Sequence, residues 1–225
     1  SGALNYPAEQ FQKWTAEANR KGYGVRVHCI GDYAVHMMLD ACEQSNQRND
    51  NEQIRNSIEH IEVIDPQDIP RFQKLGVIPS MQPLHLPLDR FDKRYRVGRE
   101  RSRYEWAMKS ILQTGAILAA GTDYPVADYD PIPNIYMAVT RKGIDGIQYG
   151  MESLTEKLSV SEILKAYTYG GAYVNHMENC LGTLEEGKYA DITAIDKDLL
   201  HIDPEEILNA DVVMTIVNGT IVYEV

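Results

Sequence analysis

Long apolar runs are missing from this chain of 225 residues. No stretch approaches the roughly 18 apolar residues that a membrane-spanning helix needs, so no membrane partner is expected. The opening residues, SGALNYPAEQ, have neither the basic start nor the apolar stretch of a secretory signal. An initiator Met is also absent, and the leading Ser-Gly points to a processed or engineered start. Positive charge is scarce: 22 Lys and Arg face 33 Asp and Glu, for a net charge of −11. Nucleic acid and anionic lipid both call for a basic face, which this composition hardly supplies. A small-molecule partner is the better expectation. Cysteine is sparse too. Cys29, Cys42 and Cys180 are widely spaced, with no CxxC pair to suggest zinc or a redox couple, and reduced thiols in a cytoplasmic protein are expected.

What is present is enough for a real core, with 44% hydrophobic and 24% charged residues. Read for periodicity, the chain alternates between helix and strand. AEQFQKWTAEANRKG places Phe11, Trp14 and Ala18 at helical spacing and stops at Gly22, and YGVRVHCIGD then reads as a buried strand. The helix DYAVHMMLDACEQ, the loop SNQRNDNEQ and the strand IRNSIEHIEV follow. DPQDIPRFQKLG reads as a helix with Asp65 as its cap and Pro66 at its first position. VIPSMQP is a third strand, and beyond a basic loop, DRFDKRYRVGRERSR, the helix ERSRYEWAMKSILQTG leads to a fourth strand, AILAAGTD. Four strand–helix units in succession predict an α/β fold with a parallel sheet. The tail differs. After the helix SVSEILKAYTYGGAYVNHME, a strand lies in LGTLEEGKYADITAID, and VVMTIVNGTIVYE is two strands around the hairpin signal Asn218-Gly219.

The strand ends carry the chemistry. His28, His60, Gln82 and Asp123 lie at the ends of the first, second, third and fourth strands. In a parallel sheet or barrel those carboxyl ends share the face where such folds place their sites. Two imidazoles and a carboxylate on one rim suit a zinc-type ion, whose catalytic sites commonly use three protein ligands and leave a position for water. Gly121 is expected to let the backbone pass closely, and Pro125 to stop the strand. Each residue also has a plainer explanation. A lone strand-end His is more often a structural group than a ligand, and Gln82 and His85 in SMQPLHL suit loop support as well as substrate contact. The basic loop is either an anion clamp or a solvated face. His36, His176 and His201 read as structural, and Asp128 and Asp130 as loop-shaping.

VHCIGDYAVHMMLDACE, RNSIEHIEVIDPQDIPRFQKLGVIPSMQP, AAGTDYPVADYDPIPNIYMAVTR and LGTLEEGKYADITAID together resemble the amidohydrolase superfamily. Within it they are similar to amidohydrolase family 3, which includes N-substituted formamide deformylases. The resemblance runs in order from about Ala8 to the C-terminus. It implies a metal-dependent hydrolase on a (β/α)8 TIM-type barrel with a flanking β-sandwich, acting on carbon–nitrogen bonds other than peptide bonds. By the same resemblance His28 and His60 are metal ligands from the fifth and sixth strands. Asp123, from the eighth, is both a ligand and the base that takes a proton from water. Ser80 to Pro83 match the seventh strand. Independently of the resemblance, Gln82 and His85 are the candidate substrate contacts.

The family pattern also has an HxH ligand pair on its first strand and a bridging Lys or Glu on its fourth. Neither occurs among the six His and their surroundings here. A full barrel takes about 250 residues. The chain is therefore expected to be a C-terminal half: strands five to eight of the barrel in residues 1–180, and part of a β-sandwich in 181–225. Its expected partners are a small amide-type substrate, the missing N-terminal half and a second copy of itself. A divalent metal, zinc by preference, is expected in the complete enzyme, and weakly or not at all in this chain alone, which would then be inactive. The alternatives are a structural or binding fragment that kept the fold without catalysis, or a deaminase or phosphoester hydrolase of the same superfamily.

Overall fold

A computed structural model of the chain describes residues 5–49, 53–88 and 93–225. They divide into two compact units, each built from more than one stretch of the chain. No described helix is long and apolar enough to cross a membrane.

The first unit comprises the described residues up to Met81, then 93–118 and 150–156. It holds α1 (Ala8–Arg20), β1 (Arg26–Cys29), α2 (Asp32–Arg48), β2 (Ser57–His60), α3 (Ile69–Leu75) and β3 (Ile78–Met81). The short helices α4 (Lys93–Val97), α5 (Arg99–Ser102) and α6 (Met108–Gln113) complete its α-helices. The three strands are parallel, with Cys29 opposite His60 and Ser57 opposite Ile78. Val35, Met38, Leu39, Ile58, Phe72 and Trp106 are among its buried side chains.

The α1 face differs from the periodic reading. Trp14 is 47% exposed, while Thr15 and Asn19 are buried. Trp14 instead meets Tyr6 and Phe11 edge-on. The polar residues go inward because they are paired. Asn19 Nδ2 donates to Asn56 Oδ1 at 2.9 Å, Ser45 Oγ donates to Asn19 Oδ1 at 2.8 Å, and Val25 N donates to Asn56 Oδ1 at 3.0 Å. This network ties α1 and α2 to the entries of β1 and β2, and buried amides are tolerated only when satisfied in this way. Beside it, Gly24 passes so close to the segment leading into β2 that an added Cβ would lie 2.1 Å from the Arg55 carbonyl oxygen.

Three boundaries also shift. The helix expected to end before Ser45 runs on to Arg48, and residues 50–52 of that loop lie outside the described set. Asp65 does not cap α3. Its carboxylate accepts from Gln67 N at 2.9 Å in a preceding turn, and the helix begins at Ile69 with Asp68 before it. The helix expected over 100–115 breaks between α5 and α6, where Glu105 bridges to Val63 and Trp106 takes φ +43°. Of the basic loop, 89–92 lie outside the described residues. Within the rest, Arg99 pairs with Glu152 and Arg101 with Asp32, so these arginines serve acids of the same unit.

The second unit comprises 82–88, 119–149 and 157–225. After a 3-10 turn, Pro83–Leu88, it contains β4 (Ala119–Ala120), α7 (Pro131–Thr140), α8 (Val160–Lys165) and α9 (Gly171–Val174). An antiparallel sheet of β5 (Ile192–Ile195), β6 (Val212–Val217) and β7 (Thr220–Glu224) ends the chain. Asp130 caps α7 by accepting from Ile132 N at 2.9 Å, with Pro131 at the first turn. Ser159 and Glu162 form a capping box at α8. The helix expected over 159–178 is interrupted by a π-helical turn, Ala166–Gly170, between α8 and α9. The hairpin forms at Asn218 and Gly219, both with positive φ as a tight two-residue turn requires. The β4 strand is only two residues long. It ends before Gly121, where an added Cβ would meet nothing within 4 Å, so Gly121 makes no close approach, and the strand stops well before Pro125.

Candidate functional site

In the first unit, β1 and β2 bring two imidazoles together. His28 Nδ1 and His60 Nε2 are 2.6 Å apart, with ring centroids 4.8 Å apart. The parallel register pairs His28 with Glu59 and Cys29 with His60. Strict alternation would therefore put the two histidines on opposite faces of the sheet. The backbone breaks that alternation: His60 has φ +78° and Ile61 has φ +54°. Left-handed geometry is uncommon in a His and costly in a β-branched Ile, and such strain collects at functional sites. His28 is exposed and His60 is buried, so the pair reaches from the interior of the unit to its surface.

In the second unit, the segment after β3 and the end of β4 carry the other candidates. Gln82 and His85 are buried, and His85 Nε2 lies 3.1 Å from the Thr122 carbonyl oxygen. A carbonyl can only accept, so Nε2 carries a proton. The next residue is Asp123, exposed and again left-handed at φ +59°, ahead of a cis peptide between Tyr124 and Pro125. Asp128 and Asp130 turn back onto the loop and the α7 cap.

Of the other histidines, His36 and His201 sit in ion pairs, and His176 has a left-handed backbone at φ +58°. His36 Nδ1 is 3.0 Å from Asp68, which Arg71 also holds at 2.9 Å. His201 pairs with Asp198 on the surface. Burial pushes the Cys29 and Cys42 thiols up to about 12, leaving both neutral and unreactive at ordinary pH. The periodic reading missed the backbone at His60 and Ile61, and side-chain alternation alone gives no signal for it. It also missed Asn134, a wholly buried polar residue in an otherwise apolar helix segment, IPNIYMAV. A buried amide inside such a run was the available clue.

Comparisons with known proteins agree with this architecture. Residues 1–223 match the model of the amidohydrolase family. The YtcJ protein of Bacillus subtilis (strain 168) is 30% identical over 224 residues, covering 100% of this chain and 42% of that protein. An N-substituted formamide deformylase of Arthrobacter pascens is 23% identical over 224 residues, covering 99% of this chain and 41% of the deformylase. Among solved structures, an uncharacterized metal-dependent hydrolase of Pyrococcus horikoshii superposes with a TM-score of 0.78 at 29% identity, over 91% of this chain and 40% of that one. The chain thus spans about two fifths of the length of these proteins. With nearly its whole length matched by one family model and its α/β fold with a parallel sheet shared with a metal-dependent hydrolase, the chain belongs to the amidohydrolase family.

Proposed function

We propose that this chain is part of a metal-dependent hydrolase that cleaves a carbon–nitrogen bond, other than a peptide bond, in a small amide or formamide. In this reading His28, His60 and Asp123 are metal ligands, and Asp123 is also the proton acceptor. The observation that carries it is the imidazole pair, with His28 Nδ1 and His60 Nε2 at 2.6 Å. Two ring nitrogens this close can share a proton, or can serve one cation once they part to the wider spacing that its bonds require. The donor set fits a zinc-type ion, which takes imidazole nitrogen and carboxylate oxygen and commonly uses three protein ligands in catalytic sites. When bound, such an ion polarises a carbonyl and brings the pKa of water down to about 7.

The chain's own groups then handle the proton. Asp123 accepts it from the attacking water and returns it to the leaving nitrogen as the carbon–nitrogen bond breaks, so that an amide and water become a carboxylic acid and an amine. Proton transfer of this kind contributes about 10² to 10⁴ in rate. His85, with its Nε2 proton engaged by the Thr122 carbonyl, and Gln82 are the substrate contacts in this reading. The four strand segments are strands five to eight of a (β/α)8 barrel, and the tail is part of a β-sandwich. The first half of the barrel, with an HxH pair and a bridging Lys or Glu, completes the site from outside this chain. The complete protein is cytoplasmic.

The test uses the complete protein that contains this chain, assayed for amine release from small N-substituted formamides and acetamides. Turnover that a chelator abolishes and zinc restores is expected. Turnover indifferent to the chelator, or none at all, would contradict the reading, and the second result would favour a fragment that kept the fold without catalysis.

A further inference from the structure

One side chain in the second unit bonds to both chain segments that carry candidate residues there. Asn134 sits in the first turn of α7, fully buried. Its Oδ1 accepts from Leu84 N at 2.6 Å, and its Nδ2 donates to the Gly121 carbonyl oxygen at 2.8 Å and to the Tyr167 hydroxyl. Leu84 directly precedes His85, and Gly121 lies two residues before Asp123. A further link closes the circuit, because His85 Nε2 donates to the carbonyl of Thr122. Tyr167 belongs to the π-helical turn, an irregularity often found at functional sites. Burial pushes its phenol up to about 12, so it stays neutral and can accept from Asn134.

The geometry points to Asn134 as a positioning residue for hydrolysis: by holding Leu84 N and Gly121 O at once, its amide sets the spacing between His85 and Asp123. This inference rests on the proposed function, in which Asp123 moves the proton and His85 meets the substrate. The amide is suited to the task because it offers one acceptor and two donors in a rigid plane, and all three are used. A carboxylate of the same shape would keep the acceptor for Leu84 N and set an oxygen against the Gly121 carbonyl. The Gly121 side of the clamp would then be repelled and Asp123 displaced. Displacements of about 1 Å at a reacting group can cost about 10²-fold in rate.

Asn134→Asp, Tyr167→Phe and Asp123→Asn are to be compared in the complete protein, on a small N-substituted formamide, with kcat, KM and thermal midpoint measured for each. Tyr167→Phe also removes a buried hydrogen bond, yet leaves both backbone links of Asn134 in place, so it separates general destabilisation from positioning. The expected result is a kcat for Asn134→Asp lowered about 10- to 100-fold with KM within about threefold. Tyr167→Phe is expected to lower the thermal midpoint while keeping kcat within about threefold. Equal kcat for Asn134→Asp and the unsubstituted protein, or equal losses of kcat in the Asn134 and Tyr167 variants, would overturn the positioning role. If Asn134→Asp does not fold, Asn134→Ser, which leaves room for water, takes its place with the same expectations. Normal turnover by Asp123→Asn, or no turnover by the unsubstituted protein, would instead overturn the proposed function on which the inference rests.

Discussion

His28 and His60 touch through their ring nitrogens although they are one residue out of step across two paired strands. The ladder matches His28 with Glu59 and Cys29 with His60, yet His28 Nδ1 and His60 Nε2 lie 2.6 Å apart. The left-handed backbone at His60 and Ile61 turns the second ring out of the alternating pattern. Asp123, at the end of another strand segment, shares that backbone class at φ +59°. Strain of this kind costs about 1–3 kcal/mol per residue and persists only where surrounding structure holds it.

Asp123→Asn tests the proton acceptor. The amide is isosteric, and the Asp123 side chain is exposed, so the fold should survive. In the complete protein at saturating zinc, turnover should fall at least about a hundredfold with substrate binding largely kept. Steady-state kinetics with added zinc will decide, and near-normal kcat would leave Asp123 with a structural role alone.

Gly24→Ala tests the close approach between the entries of β1 and β2. A Cβ would lie 2.1 Å from the Arg55 carbonyl oxygen, which is backbone and cannot swing aside. Overpacking of this kind costs about 1–3 kcal/mol. Urea unfolding should show a lower midpoint with an unchanged slope. An unchanged midpoint would mean that the two segments separate freely.

Most of the coarse architecture was legible in the sequence, because strands at regular spacing and a strong turn dipeptide are local signals. Asn218-Gly219 forms its hairpin, and His28, His60 and Asp123 each end or nearly end a strand segment. What was not legible came from long-range pairing. Phe11, Trp14 and Ala18 mark an apolar stripe at helical spacing, but Asn19 is buried because Asn56 and Ser45, 37 and 26 residues away, satisfy its amide. The helix expected over 100–115 breaks where Glu105 pairs with Val63, a partner no local window includes. The contact between His28 and His60 depends on the left-handed backbone at His60 and Ile61, which composition and periodicity do not encode. The Asn134 clamp likewise joins positions 50 and 13 residues away.

The thiols give a pH prediction. Burial raises Cys29 and Cys42 from an ordinary value of 9.0 to about 12 in the folded chain. Both states hold the thiol protons below about 9. Between about 9 and about 12 only the unfolded chain releases them, so the stability they contribute is present below 9 and is lost as pH rises to 12. Alkaline unfolding should therefore shift to higher pH in Cys42→Ala, provided the cavity cost is subtracted at neutral pH. At pH 8, a thiol reagent should label Cys180, which is partly exposed, well before the other two. Equal labelling of all three in the native protein would contradict this burial.

Association is expected of the chain alone. Among the described residues β1 pairs with β2 on one side only, and Arg26 and His28 on it are exposed. An open edge of this kind invites pairing with another chain. Light scattering at micromolar concentration should report a dimer or larger species. A stable monomer would mean that the edge is protected.

The most direct test is metal content in the complete protein after extensive dialysis, measured by elemental analysis for the unsubstituted form, His28→Ala and His60→Ala, with circular dichroism to verify folding. If the two imidazoles are ligands, the unsubstituted protein keeps a divalent metal, zinc by preference, and each variant loses metal together with activity while remaining folded. Full metal content and full turnover in both folded variants would contradict a metal site built on His28 and His60.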